Sequence, residues 1–370
     1  MKILLIGEYS NVHATLAEAL RANGHQVTVA SNGDFWKNYP RDIDLSRAQG
    51  KLGGIRLIIK IIKALPKLRG YDVVQLINPI FVELKAKRIA PLYRYLRRHN
   101  RRIVLGAFGM DHYWVSTCIN NKPLRYSDFN MGDQLRYTPE AQAYTADWMG
   151  TDKETLNRYI ATDCDAIVAG LYEYLVCYQP HFPEKTSFIP FPIKPTDAEP
   201  RHATTPFKLH IFIGINKTRS AYKGTDIMLR AAQRLKEKHP DSVCLQIAES
   251  VPFAQYEKMM DQADVILDQL YSYTPAMNGL LAMSKGIVCV GGGEPENYEV
   301  LGESQLRPII NVEPTEEHVF SQLESLVDNP ALLTRLSSES LQYIDRHHHY
   351  LKVARRYEQL YRSLLQDNTL

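Results

Sequence analysis

The chain has 370 residues, 45% hydrophobic and 23% charged, with a net charge of only +3. That length exceeds one ordinary core and predicts two domains of ordinary soluble composition. No run of about 18 uncharged apolar residues occurs, which excludes a predicted membrane-spanning helix.

The opening KILLIG (2–7) reads as a strand, because its apolar run is too short for a signal-peptide core. Residues 11–23 follow as a helix closed by Gly24 in a typical C-terminal position. HQVTVAS (25–31) is a second strand, 54–67 a helix, YDVVQLINP (71–79) a strand, 82–99 a helix and RRIVLGAFG (101–109) a strand. An aromatic-rich insertion, about 113–150, precedes the strand CDAIVAG (164–170). Continuous apolar strands alternating with helices predict a parallel sheet covered on both faces. A proline-rich linker, 191–206, separates this first domain (1–190) from a second (207–348). The second domain repeats the pattern, with strands at 207–214, 243–248, 263–270, 286–291 and 307–311. A terminal helix in 349–370 is expected to pack back on the first domain. The fold class is therefore α/β, two Rossmann-like domains whose strand ends face each other across a cleft. The five cysteines show no CxxC or metal spacing and read as reduced thiols, consistent with a cytoplasmic protein.

Several loops at predicted strand ends carry chemistry. After the strand at 207–214 come Lys217, Arg219 and Lys223, then a helix beginning at Gly224. Two cations at a helix start can hold an anion such as a nucleotide diphosphate. The same residues also fit a solvated basic loop. Asp268 ends another strand, and Thr274-Pro275 reads as an N-cap followed by a first helical residue. Its helix would turn the N–H groups of Ala276, Met277 and Asn278 toward a phosphate. An ordinary capped helix has the same signature. In the first domain, Gly7 permits close backbone approach and Asn11 and His13 open a helix; a plain N-cap and a packed histidine fit equally well. GxGxxG is absent.

The whole chain resembles retaining GT-B glycosyltransferases of family 4. GEYSNVHATLAEALRANGHQVTV resembles that family's opening, RSAYKG its basic donor-phosphate motif, and ADVILDQL with LLAMSKGIVCV its AD…EAMAxGxPVV stretch. The family usually carries two glutamates separated by seven intervening residues; here Tyr273 and Leu281, eight positions apart, stand instead. The second glutamate's ribose contact would then come from Glu249, Glu294 or Glu296, or be absent. The resemblance implies a nucleotide-sugar donor bound by Gly7, Asn11, Arg219, Lys223, Asp268, Thr274, Met277 and Asn278. It also implies sugar-site roles for Asp111 and His112 in the GMDH segment, although a turn-capping Asp beside a packed His fits too. The expected acceptor is a hydroxyl of a glycan or a lipid-linked precursor, as in polysaccharide biosynthesis. With fixed cations on the diphosphate no metal site is expected, and no cofactor beyond the donor.

Residues 1–105 hold 19 Lys and Arg against 7 Asp and Glu, which predicts an anionic partner. Lys51, Arg56, Lys60, Lys63 and Lys67 recur at helical spacing among Ile and Leu, and Arg94, Arg97, Arg98, Arg101 and Arg102 form a second cluster. An anionic membrane surface met through 51–102 suits this half, with the protein peripheral on the inner face. A domain helix with a solvated lysine face is the plainer account of 51–67. No nucleic-acid module is recognisable, so nucleic acid is not the expected partner. A sugar-nucleotide epimerase on the same fold and a non-catalytic sugar-nucleotide or glycan binder are the competing functions. His347, His348 and His349 point in different directions on a helix or turn and do not read as a metal set.

Overall fold

The computed structural model describes residues 1–249 and 251–366. The chain divides into two compact units. Unit 1 comprises residues 1–117, 144–192 and the C-terminal segment from 350; unit 2 comprises 118–143 and 193–349.

Unit 1 holds a seven-stranded parallel sheet. Its strands are β1 (Lys2–Ile6), β2 (Gln26–Ser31), β3 (Ile43–Asp44), β4 (Val73–Leu76), β5 (Arg102–Ala107), β8 (Ala166–Ala169) and β9 (Thr186–Phe188), in the order β3-β2-β1-β4-β5-β8-β9. The central strands are apolar on both faces because helices cover both, and Ile3, Leu4, Leu5 and Ile6 are fully buried. Strand order reverses between β1 and β4, the switch point where α/β sheets open a crevice at their carboxyl ends. The short strands β3 and β9 have too few apolar residues to stand out by pattern. The C-terminal helix Tyr350–Gln366 lies against the first helix, Val12–Ala22, where Asn23 donates to Glu358 (2.6 Å).

Unit 2 holds the hairpin β6 (Asn130–Met131) and β7 (Gln134–Leu135) and a five-stranded parallel sheet. That sheet is built from β10 (Leu209–Ile215), β11 (Val243–Glu249), β12 (Val265–Leu267), β13 (Val288–Gly291) and β14 (Ile310–Asn311), ordered β11-β10-β12-β13-β14. The five strands expected in this half are all present. The helix Thr225–Lys238 places Met228, Ala231, Ala232 and Leu235 on the sheet at i, i+3, i+4 and i+7, one helical face.

Residues 118–143 pack with unit 2 rather than with the first half that precedes them. The reason is a set of anchors remote in sequence. Arg125 pairs with Glu294 (2.6 Å) and Glu296 (2.5 Å), and the Arg136 guanidinium lies 3.2 Å from the centre of the Tyr271 ring. The aromatic residues of 113–150 divide accordingly. Tyr113, Trp114 and Trp148 fill the core of unit 1, and Tyr126 and Phe129 that of unit 2.

Candidate functional site

In unit 2 the residues expected to bind diphosphate gather at the carboxyl ends of β10 and β12. These strands are neighbours and flank the point where strand order reverses. After β10 the chain makes a turn, Lys217–Arg219, and a short helix, Ser220–Lys223. Gly224 (φ 74°) then redirects it into the helix Thr225–Lys238. A Cβ on Gly224 would stand 2.6 Å from Leu270 Cβ, so only glycine allows this close approach to the segment after β12. The Leu270 N–H donates to Lys223 O (3.0 Å), tying the two loops together. Lys223 and Asp268 are thereby electrostatic neighbours: burial raises the Asp268 carboxyl, and the Lys223 charge, the Ala276 N–H and the Asn278 amide pull it back. Arg219 and Lys223 are both half-buried, with the Arg219 guanidinium 5.4 Å over the Tyr222 ring.

The second loop differs from expectation. The helix runs Met277–Met283 and does not open at Thr274-Pro275. Thr274 is buried within the turn, and Ser272 Oγ donates to its carbonyl (2.6 Å). Asp268 instead accepts the Ala276 N–H (3.2 Å), so the carboxylate at the strand end orders this loop and consumes one of the N–H groups expected to face a ligand. Met277 and Asn278 form the first helical residues, and the Asn278 amide hydrogen-bonds both Asp268 and Tyr256.

The carboxylates named as substitutes for the missing glutamates have other partners. Glu294 pairs with Arg125, accepts the Tyr126 hydroxyl and accepts Asn311 Nδ2 (3.0 Å). Glu296 takes the other arm of Arg125, and Glu249 pairs with Lys217 (2.9 Å). Tyr273 is buried; its hydroxyl accepts the Arg125 N–H (2.6 Å), with the guanidinium 4.8 Å over its ring. Sequence reasoning missed this role of Arg125, and also that of Arg136, which donates to Ala221 O (2.8 Å) and Tyr222 O (3.1 Å) beside the cationic loop. Asp128 belongs to the same set: burial raises its carboxyl, while the Tyr222 hydroxyl and the charges of Lys223, Arg219 and Arg136 lower it. No local pattern marks these partners, because each contact spans 80 residues or more.

In unit 1, Gly7 ends β1 with φ 87°, and a Cβ there would lie 2.2 Å from Ile77 Cγ2. Asn11 is left-handed (φ 71°) and its side chain caps nothing. Glu8 takes that role instead, accepting the N–H groups of His13 (3.2 Å) and Ala14 (2.8 Å). Burial pushes the Glu8 carboxyl up to about 8 against the pull of those amides. The folded protein then holds a proton that the unfolded chain has lost between about pH 4.5 and 8, so stability falls as pH rises through this window. Glu8→Gln is expected to remove that slope. Its melting temperature relative to the native protein should climb from about pH 5 to about pH 8, and parallel curves would contradict the assignment.

His13 is a packed histidine. Its Nδ1–H donates to Gly7 O (2.8 Å), its Nε2 accepts the Gln75 amide (3.2 Å), and Gln75 Oε1 accepts the Tyr361 hydroxyl (2.5 Å). Burial lowers its pKa to about 3, which keeps it neutral. Asp111 caps the helix His112–Ser116: Oδ1 accepts the Trp114 N–H (2.9 Å) and Oδ2 the Tyr178 hydroxyl (2.7 Å). Burial raises its carboxyl to about 6 despite both contacts. His112 is buried, with Nδ1 3.7 Å from Glu154 and its N–H donated to Asn157 (2.9 Å). Among the described residues no group of three or more His, Cys, Asp or Glu is arranged to hold a metal ion.

No protein-family profile and no curated protein matches the sequence. Solved structures do. Sucrose-phosphate synthase from Thermosynechococcus elongatus superposes over 100% of both chains, with a TM-score of 0.62 and 12% identity. HepE from Anabaena, crystallised with UDP and glucose, covers 97% of this chain and 99% of its own, with a TM-score of 0.58 and 12% identity. S. aureus TarM, crystallised with UDP and glycan ligands, covers 82% of this chain and 59% of its own, with a TM-score of 0.55 and 10% identity. With a parallel α/β sheet in each unit and these matches, the chain has the GT-B fold.

Proposed function

We propose that the protein is a retaining hexosyltransferase that moves a sugar from a nucleotide-sugar donor to a hydroxyl of a glycan or lipid-linked acceptor. The observation that carries this reading is the convergence of Arg219, Lys223 and Asp268 at the carboxyl ends of β10 and β12. Two fixed cations there match the charge that develops on a departing diphosphate, with no divalent metal required for that task. The C1–oxygen bond to the diphosphate breaks as the acceptor oxygen bonds to C1 on the same face, and the leaving phosphate takes the acceptor proton. Asp111 and His112 would act by shaping the sugar site, since helix capping engages one Asp111 oxygen and the Tyr178 hydroxyl the other. UDP is the first donor base to test, because two proteins of similar fold were crystallised with it. Thermal shift against a panel of nucleoside diphosphates and their sugars is expected to show stabilisation, followed by sugar transfer to a hydroxyl acceptor. Silence across the panel would remove the donor site. Stabilisation without turnover would make the protein a binder, and release of free nucleotide with water together with the epimer of the donor sugar, with no acceptor present, would make it an epimerase.

On the acceptor side the reading includes peripheral attachment to an anionic membrane at the cytoplasmic face. The helix Gly53–Ala64 buries Gly53, Leu57, Ile61 and Ala64 on one side. On the other it exposes Leu52 (58%), Ile55 (54%), Ile59 (48%) and Ile62 (58%), a stripe at i, i+3, i+7 and i+10. Lys51, Arg56 and Lys63 stand beside it, the arrangement of an interfacial helix. The second basic cluster is less available, because Arg97 and Arg102 pair with Asp165 and Arg101 with Asp72. Flotation on phosphatidylglycerol-containing vesicles but not on pure phosphatidylcholine is expected, and equal behaviour on both would remove this part of the reading.

A further inference from the structure

A cavity of about 680 Å³ lies in unit 1, on the carboxyl side of β2 and β3, with Phe35, Arg47 and Glu83 in its lining. The loop that follows β2 forms one wall and is conformationally unusual. Asp34, Phe35 and Asn38 all have positive φ (56°, 58° and 51°), values that side-chain-bearing residues rarely adopt. The conformation is held from both sides of the loop: Asp34 accepts the Ser10 N–H (2.9 Å) from outside it and Lys37 Nζ (2.6 Å) from within, and Gly33 O accepts the Tyr39 N–H (2.9 Å). Its result is a phenylalanine left 62% exposed at the cavity. Unusual backbone maintained by surrounding bonds to display a large apolar ring is a pointer to a ligand.

The polar groups of the cavity divide into engaged and available ones. Arg41 is engaged, with Asp44 (2.8 Å), Asn38 (2.8 Å) and Tyr39 O (3.1 Å). Arg47 is not: among the described residues its guanidinium makes no hydrogen bond or ion pair, and only its backbone N–H is used, donating to Glu83 (3.3 Å). The guanidinium lies over the start of the helix Gly53–Ala64, since a Cβ on Gly54 would stand 3.8 Å from Arg47 Nη2. That end of a 12-residue helix carries the positive pole of its dipole, so two sources of positive potential coincide. Glu83 and Asn32 add acceptors and donors suited to hydroxyl groups.

We propose that this cavity binds a glycosyl phosphate. Arg47 takes the phosphate oxygens through its two-pronged donor face, Phe35 covers the apolar face of the sugar ring, and Glu83 and Asn32 receive its hydroxyls. The assignment to the acceptor side rests on the transferase reading above. The exposed apolar stripe begins at Leu52, two residues after Gly50 of the cavity lining, and Lys60 of the same helix donates to Asp44 (2.7 Å) and Ser46 O (3.0 Å) beneath it. A glycosyl phosphate carried on a lipid would therefore meet the cavity at the edge of the proposed membrane face. A soluble glycosyl phosphate offers the same chemistry.

Calorimetric titration of the full chain with glucose 1-phosphate, glucose and inorganic phosphate tests the proposal. Glucose 1-phosphate is expected to bind at least about tenfold more tightly than either fragment, Arg47→Ala to weaken it roughly tenfold, and Phe35→Ala to weaken it less. Both side chains are exposed, so both variants should keep the native melting temperature and the stabilisation by UDP. Absence of glucose 1-phosphate binding by the native chain, equal binding by Arg47→Ala, or inorganic phosphate binding as tightly as the ester would each overturn the proposal. If these fail while UDP still stabilises the protein, the cavity assignment falls alone; if UDP fails, the donor reading falls. Phosphatidylcholine vesicles bearing polyprenyl phosphoglucose separate the sources. Capture that Arg47→Ala abolishes identifies the lipid headgroup, and binding of soluble ester without such capture identifies the free compound.

Discussion

The Arg219→Ala, Lys223→Ala double variant is expected to bind UDP about 100-fold more weakly than the native protein and to lose its UDP-dependent rise in melting temperature. Each charge-assisted contact to a phosphate contributes roughly 1.5–3 kcal/mol, so removing two costs about 3 kcal/mol or more. Turnover should fall further than binding, because the diphosphate is more negative as it leaves than while it is esterified. The fold should tolerate the change. Neither side chain fills the core cluster of unit 2, and the loop keeps its backbone ties, Leu270 N–H to Lys223 O among them. An unchanged UDP affinity would remove the diphosphate assignment. A Lys in place of Arg219 should restore charge without the two-pronged geometry and recover only part of the affinity.

The second large effect is expected from Arg125→Ala. Arg125 is the rivet that holds 118–143 to unit 2: it pairs with Glu294 and Glu296, donates its N–H to Tyr273 and covers that ring. Its side chain is half exposed, which discounts the Glu296 pair, whereas Glu294 is buried. The substitution leaves Glu294 with the Tyr126 hydroxyl and Asn311 alone. A loss of about 2 kcal/mol follows, read as a melting temperature lower by roughly 4 °C and as new protease cleavage within 118–143. Arg125→Lys should not rescue fully, since one ammonium cannot reach two carboxylates with the same geometry. Unchanged melting and protease resistance would show that the segment is held by Arg136 and the buried Tyr126 and Phe129 instead. Because Arg136 and Asp128 of this segment lie beside the Ser220–Lys223 loop, loosening it should also disturb UDP binding.

Much of the fold was legible because its signals are local. KILLIG, the apolar strands of both halves and the helical period of 225–238 are patterns within a few residues, and burial of both sheet faces demands them. β3 and β9 were not legible, being two and three residues long with no apolar run. The loop carrying Arg219 and Lys223 was legible because Gly224 and the flanking strand and helix are contiguous. Thr274-Pro275 misled: it satisfies the cap preferences, yet Asp268 reaches across from the strand end and the helix starts at Met277. Asn11 misled in the same way, with Glu8 supplying the bonds that an N-cap side chain would supply.

The sequence by itself determined two α/β units, the succession of their longer strands along the chain and the position of a cationic loop after β10, since these follow from hydrophobic period and turn chemistry within short windows. Tertiary structure alone decided how the polar residues are used. It gave Glu294 and Glu296 to Arg125, placed Asp128 and Arg136 beside the cationic loop, and left the Arg47 guanidinium without a partner among the described residues at the cavity beside Phe35. A charged side chain carries no period that names its partner. Its partner is set by which distant backbone segments the packed core brings within hydrogen-bond reach.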